Sequence, residues 1–304
     1  MSTVTPEAPS DGAPAEAPQR HPLASWFYRH PRTRLSLLLL LPLGWLLVVY
    51  LGSLAMLFVT AFWQVDSFTG QIERVFTFDN FVEIATDPAY YQVALRTIGI
   101  AAAVTVLAAL IGLPMAFYMA RVARPSHRAL LVALVLTPLW ASYLVKVYSW
   151  RTMFQPETGV IAWLLNPFGL DSPGYGALAT ITTLTYLWLP YMILPLYAGL
   201  ERIPDSLLDA SADLGAHTGR TFRSVVMPIL WPSLVAGSIF TFSLSLGDYI
   251  TVQIVGGKLQ MLGNVVYQNF TLNLPFAAAV ATIPVLVMVV YLWAVRRTGA
   301  LDNL

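Results

Sequence analysis

From Leu35 to Val65 the chain runs without one charged side chain. That exceeds the ~20 residues a helix needs to cross a bilayer and is far longer than the ~7–15-residue core of a cleaved signal peptide. In hydrocarbon each backbone N–H and C=O must find its partner within the protein, so such a run folds as a helix. Further runs of this kind follow, and together they predict an all-α, polytopic membrane protein. Its six-helix transmembrane bundle has spans at approximately 35–62, 97–120, 129–150, 177–200, 229–256 and 275–295, within a transmembrane domain of residues 35–297. With 11% charged residues and a mean hydropathy of +0.65, the chain lacks the polar side chains to cover a water-exposed surface.

Residues 1–34 form the expected N-terminal segment, disordered where Pro, Ala, Glu and Ser dominate and basic toward its end; residues 298–304 form a short tail. Most of the 17 Lys and Arg fall in four clusters, Arg20–Arg34, Arg121–Arg128, Arg202–Arg223 and Arg296–Arg297, which a six-span chain places on one side. The positive-inside rule makes that side cytoplasmic, with both termini there. Pro42, Pro114, Pro138, Pro190, Pro195 and Pro284 predict kinks that neighbouring helices accommodate. Trp140, Trp150, Trp163 and Trp231 fall near span ends, where indole rings anchor at the membrane interface.

Several chemistries find no residues. There is no cysteine, the four His are far apart, and no catalytic or metal site is expected. Gly256-Gly257-Lys258 lacks the upstream glycine and the following Ser or Thr of a phosphate-binding loop and reads as an outer turn. If energy drives this protein, it comes from a partner or an ion gradient.

Between the fourth and fifth spans lies LLDASADLGAHTGRTFRSVVMPIL, within the loop 203–228. Pro204 and Ser206-x-x-Asp209 signal a helix start, with Leu207, Leu208, Ser211 and Leu214 on one face. Gly215 can adopt the left-handed conformation that ends a helix, and Thr218 offers a cap for a second short helix running through Phe222. Pro228 then interrupts the chain before the next span. Asp205, Asp209 and Asp213 recur every four residues and line one side of the first helix, either solvated or facing a basic partner.

This stretch resembles the cytoplasmic signature loop of ABC-importer permeases, which reads E-A-A, three residues, G, nine residues, I-x-L-P. Asp209-Ala210-Ser211 fills the triplet, Gly215 the glycine, and Val225-Val226-Met227-Pro228 the ending, with every spacing kept and the Asp213-Leu214-Gly215-Ala216 run also common in the family. The resemblance implies that Asp209, Ala210, Ser211, Asp213, Leu214, Gly215, Phe222 and Pro228 couple the chain to a separate ABC ATPase dimer. ATP and Mg would be bound there and no cofactor by this chain. It further implies a second permease subunit forming a hetero-dimer, an extracytoplasmic substrate-binding protein, contact with membrane lipid and none with nucleic acid. This chain would then be a transport subunit and not an enzyme.

The segment SLSLGDYITVQIVGGKLQMLGNVVYQNF and the run after it are similar to permeases of spermidine/putrescine-type importers, which implies a polyamine cargo. Relatives that carry iron, thiamine, opines or phosphonates keep other cargoes open. An ionisable side chain within a span is costly and usually faces the bundle interior or a pathway. Asp248, beside Tyr249, is therefore the candidate contact for an alkylammonium group, with rings contributed by Trp188 and Tyr191. The alternative is that Asp248 neutralises Lys146 or Arg151. A stand-alone ion-coupled carrier and a non-transporting scaffold or sensor are the competing classes.

Overall fold

The computed structural model describes residues 38–40, 42–66, 68–297 and 299. The segment 1–34 lies outside the described residues, as does the tail 298–304 apart from Gly299. The chain divides into a unit ending at Met56 and a second unit from Leu57 onward. The first contributes most of α1 (Leu38–Thr60), whose hydrogen bonding widens to a π-helix over Leu46–Leu51.

In the second unit a two-stranded hairpin, β1 (Gln64–Val65) and β2 (Ile72–Glu73), pairs antiparallel. Asp66 holds its turn by accepting from the backbone N–H groups of Phe68 and Thr69, and these amides keep its carboxyl below the ordinary range. The short α2 (Asp79–Thr86) leads to α3 (Pro88–Phe117), which a π-turn extends through Tyr118–Val122. Asp87 caps α3 by accepting from Ala89 N–H, and Pro88 sits at its first position. The helix thus begins nine residues before the expected boundary at 97.

After α3 come α4 (Pro125–Trp140), α5 (Tyr143–Met153) and α6 (Val160–Leu165). The predicted third span is not straight: α4 and α5 meet at 91°. Pro138 gives no N–H to the last turn of α4, and Ala141 and Ser142 then turn extended, so the chain changes direction within two residues. The long α7 (Ala177–Glu201) runs unbroken through Pro190 and Pro195. Two loop helices follow, α8 (Asp205–Asp213) and α9 (Thr218–Thr221), then α10 (Met227–Leu246), α11 (Ile250–Val255), α12 (Leu262–Asn269) and α13 (Leu274–Arg296). The fifth span, expected to reach 256, ends at Leu246, and α11 is a separate helix beyond a break at Gly247–Tyr249. Among the described residues five helices are long and apolar enough to cross a membrane, with the bent α4–α5 pair a sixth.

α3, α7 and α10 form the centre. Their contact is close because glycines face it: a Cβ on Gly199 would lie 2.2 Å from Ser233 Oγ, and one on Gly237 would lie 2.7 Å from Met192 Sδ. Around them Ala108, Ala116, Met192, Leu196, Leu200 and Leu230 are fully buried. Packing of this kind, with small residues and no apolar driving force from water, holds helices together in a bilayer.

Candidate functional site

Two polar constructions lie at opposite ends of α10. Its 20 residues separate them by about 30 Å.

At the first end, α8 begins at Asp205 after Pro204, as the sequence suggests, but the Ser206 side chain makes no cap. Gly215 has φ +77°, and the N–H groups of Gly215 and Ala216 donate to Ala212 O at 2.8 Å and Ser211 O at 3.1 Å. This is the left-handed stop that the glycine predicts. The second helix differs from expectation. His217, not Thr218, is its capping residue, and it does not break before the span. Thr218–Leu246 is one continuous helix, with a π-turn at Phe222–Val226 just before Pro228. Proline lacks an N–H and crowds the preceding turn, and the wider π-turn accommodates it without a stop. The second loop helix is therefore the first turn of the fifth span.

Leu208 and Ala212 of α8 face Phe222 and Val226 across a groove of about 740 Å³, whose far wall is formed by Phe117 and Leu200. Leu207 and Leu214 do not join this face; Leu214 is 88% exposed. Ser211 Oγ and Thr221 Oγ1 lie 2.9 Å apart and tie the two loop helices together. Asp209, Ala210 and Asp213 are exposed on the outside of the loop, as is Pro228 at the start of α10. Asp205 pairs with Arg121 at 2.6 Å, so the acidic row is in part bound within the chain.

At the other end Asp248 occupies the break between α10 and α11 and is buried. Its Oδ1 accepts from Thr251 N–H at 2.8 Å; its Oδ2 accepts from the Tyr143 hydroxyl and from Thr251 Oγ1 at 3.2 Å. The predicted alternative pairing is not formed. Among the described residues neither Lys146 nor Arg151 is within ion-pair distance of Asp248. Tyr143, Val147 and Trp150 make the inward stripe of α5 at helical spacing, continued by Phe154 just beyond it; Lys146, three residues from Tyr143 and four from Trp150, borders that stripe and is half-buried. Arg151 donates to Ile254 O at 3.0 Å and lies over the Tyr175 ring.

Trp188 is stacked on Tyr143, centroids 6.2 Å apart, and meets Tyr191 at 6.0 Å; Tyr191 continues to Phe240 at 6.4 Å. The structure thus brings Asp248, Trp188 and Tyr191 together through Tyr143. Tyr249 goes elsewhere: its ring stacks on Tyr267 at 4.9 Å. Sequence reasoning missed Tyr143 and Thr251. The Asp248-x-x-Thr251 spacing is a helix-start signal, and Tyr143 follows the Ala141-Ser142 interruption after Pro138. Trp150, expected at the membrane interface, packs on Phe154 and Tyr186.

Residues 25–297 match the family described as "Binding-protein-dependent transport system inner membrane component". The chain belongs to this family. It is a multi-pass permease subunit of an ABC importer. Among curated relatives, this permease is 42% identical to the Inner membrane ABC transporter permease protein YdcU of Escherichia coli, over 93% of this chain and 95% of that one. It is 31% identical to the Spermidine/putrescine transport system permease protein PotB of Escherichia coli, over 86% and 96%. It also matches a chain of a bacterial ABC transporter that imports the acidic polysaccharide alginate, with a TM-score of 0.64 at 17% identity over 92% and 99%. A chain of the MetNI methionine ABC transporter matches at a TM-score of 0.53 and 20% identity, over 70% of this chain and 95% of that one. At these identities the two structures show that the permease shares their fold.

Proposed function

We propose that this permease forms part of the path for a polyamine-type cation that an extracytoplasmic binding protein delivers, and that an ABC ATPase docked on loop 203–228 powers it. ATP and Mg belong to that ATPase. A second, different permease completes the path, and both termini are cytoplasmic. The observation that carries this reading is the continuity of α9 with α10. A push on the loop enters the fifth span directly, and α10 ends at Leu246, two residues before Asp248. Asp209, Ala210, Ser211, Asp213, Leu214, Gly215, Phe222 and Pro228 make the joint, with Leu214 and the acidic row turned outward toward the ATPase.

The polyamine reading draws on the printed names of the 31% and 32% identical PotB relatives and on the aromatic row Tyr143–Trp188–Tyr191. A ring face attracts an alkylammonium group, and the Asp248 carboxylate behind Tyr143 adds negative potential. Asp248 acts at one remove, since protein donors already engage both its oxygens. Tyr249, whose ring is turned to Tyr267, shapes the break.

The test is the assembled transporter in proteoliposomes with its binding protein and ATPase. Spermidine or putrescine should stimulate ATP hydrolysis and accumulate inside. Stimulation by iron, thiamine, an opine or a phosphonate would keep the importer and replace the cargo. Gradient-driven uptake by the purified chain alone would overturn the ATPase-driven reading.

A further inference from the structure

Arg121 lies in the π-turn that ends the second span, and its side chain is only 16% exposed. Three acceptors surround its guanidinium. Nη1 donates to Asp205 Oδ1 at 2.6 Å, and Nη2 donates to Leu200 O and Ile203 O, each at 2.5 Å. Leu200 is in the last turn of α7, Ile203 is in the link beyond it, and Asp205 opens α8. One planar fork thus joins the second span, the fourth span and the first loop helix. Arginine suits this place because its donors are fixed in direction, whereas a lysine ammonium is a compact point charge on a flexible stem.

The negative end of the α7 dipole would alone justify a cation here, although Leu200 O also accepts from backbone N–H groups. The third contact goes further, since α8 cannot shift against α3 without breaking the fork. Beside the fork, Arg128 of α4 donates from Nε to Ala123 O and lies with Nη1 4.0 Å from Glu201, which also accepts from the Tyr197 hydroxyl; this ties α4 to the end of α7 and does not reach α8. On its other side α8 is tied to α9, and so to α10, by Ser211 and Thr221.

We infer that Arg121 is the positioning residue that makes α8 and α3 move as one body, so that a push on the loop reaches the second span as well as the fifth. This rests on the reading of the loop as the ATPase-docking element. The test places spin labels on two exposed leucines, Leu110 of α3 and Leu207 of α8, in the assembled complex, and measures their separation without nucleotide and after vanadate trapping. In otherwise unaltered protein the separation stays the same in both states. In Arg121→Gln it shifts on trapping, because α8 follows the ATPase while α3 lags. Arg121→Lys, which keeps the charge but not the fork, should shift likewise and decides the matter if Arg121→Gln does not assemble. An unchanged separation in the variants, or a shift in the unaltered protein, overturns the inference. A crosslink from Leu214→Cys to the ATPase separates the two failures. With the crosslink present and no shift in the variants, Arg121 alone loses its role; with the crosslink absent, the loop reading falls and the inference falls with it.

Discussion

Asp205 and Asp248 both stand beside the start of a helix, one at each end of the α7–α10 pair, and the molecule treats them in opposite ways. The Asp205 side chain is 85% exposed and has one cationic partner. Asp248 is 8% exposed and faces three neutral donors from two elements. A joint that must receive another protein keeps its charges near water, where each contributes little and can change partner. A carboxylate inside a bundle must have its lone pairs filled, because an unmet buried charge is far more costly than an unmade surface pair. The loop is therefore built from backbone conformation and the far end from side-chain hydrogen bonds, and the predictions below follow that difference.

Gly215→Pro should have the largest effect. Its φ of +77° is closed to proline, and the substitution also removes the N–H that donates to Ala212 O. No side chain is near enough to clash, so the effect is one of backbone alone. Disturbing the joint by about 3 kcal/mol corresponds to a loss of roughly a hundredfold in coupled uptake. Binding-protein-stimulated ATP hydrolysis that survives in the assembled variant would show that the angle between α8 and α9 does not matter.

Asp248→Ala should come next, and it should act on stability. It leaves the Thr251 N–H without its acceptor and the Tyr143 hydroxyl with Thr251 Oγ1 at 2.6 Å as its remaining partner, at a cost of about 1–3 kcal/mol, read as a lower melting temperature of the purified complex. Asp248→Asn keeps an acceptor and removes the charge. It should assemble normally and take up polyamine more slowly; unchanged uptake kinetics would make Asp248 a purely structural cap for α11.

The two ends also differ in how far the sequence discloses them. Gly215 and the spacing to Pro228 are local backbone chemistry, so they can be read from consecutive residues. The Tyr143–Asp248 contact joins positions 105 apart and exists only because a span bends after Pro138 and another breaks at Gly247; Pro138 signals a kink but not a 91° turn, and the break at Gly247 has no one-residue signal. Arg121 is visible in the sequence only as one of several basic residues that orient the chain. Pro228 misleads, since proline signals a stop unless a π-turn precedes it, and π-turns leave no mark in hydrophobic spacing.

Between the two ends, Gly199→Ala should cost about 1–3 kcal/mol by overpacking, since its new methyl would meet Ser233 Oγ at 2.2 Å and Ser233 Cβ at 2.7 Å. Ser233→Gly in the same chain should restore most of the loss in thermal stability. A failure to restore it would mean that the α7–α10 contact tolerates separation, and a loose contact there would weaken the case that force passes between the two ends along this pair.

The smallest effect belongs to Asp205→Asn. Arg121 keeps its two backbone acceptors in this variant, and the lost pair is exposed on the aspartate side, so the change should be about 0.2–1 kcal/mol and should shrink further in high salt. Thermal unfolding at low and high ionic strength measures both parts. A loss as large as that of Asp248→Ala, insensitive to salt, would mean that Asp205 is shielded once the partners assemble. The contrast between an open joint and a closed knot would then hold for the isolated chain and fail for the working transporter. A small, screened loss would mean that Arg121 steadies the end of α7 through Leu200 and Ile203, while its contact with Asp205 aligns α8 and adds little to stability.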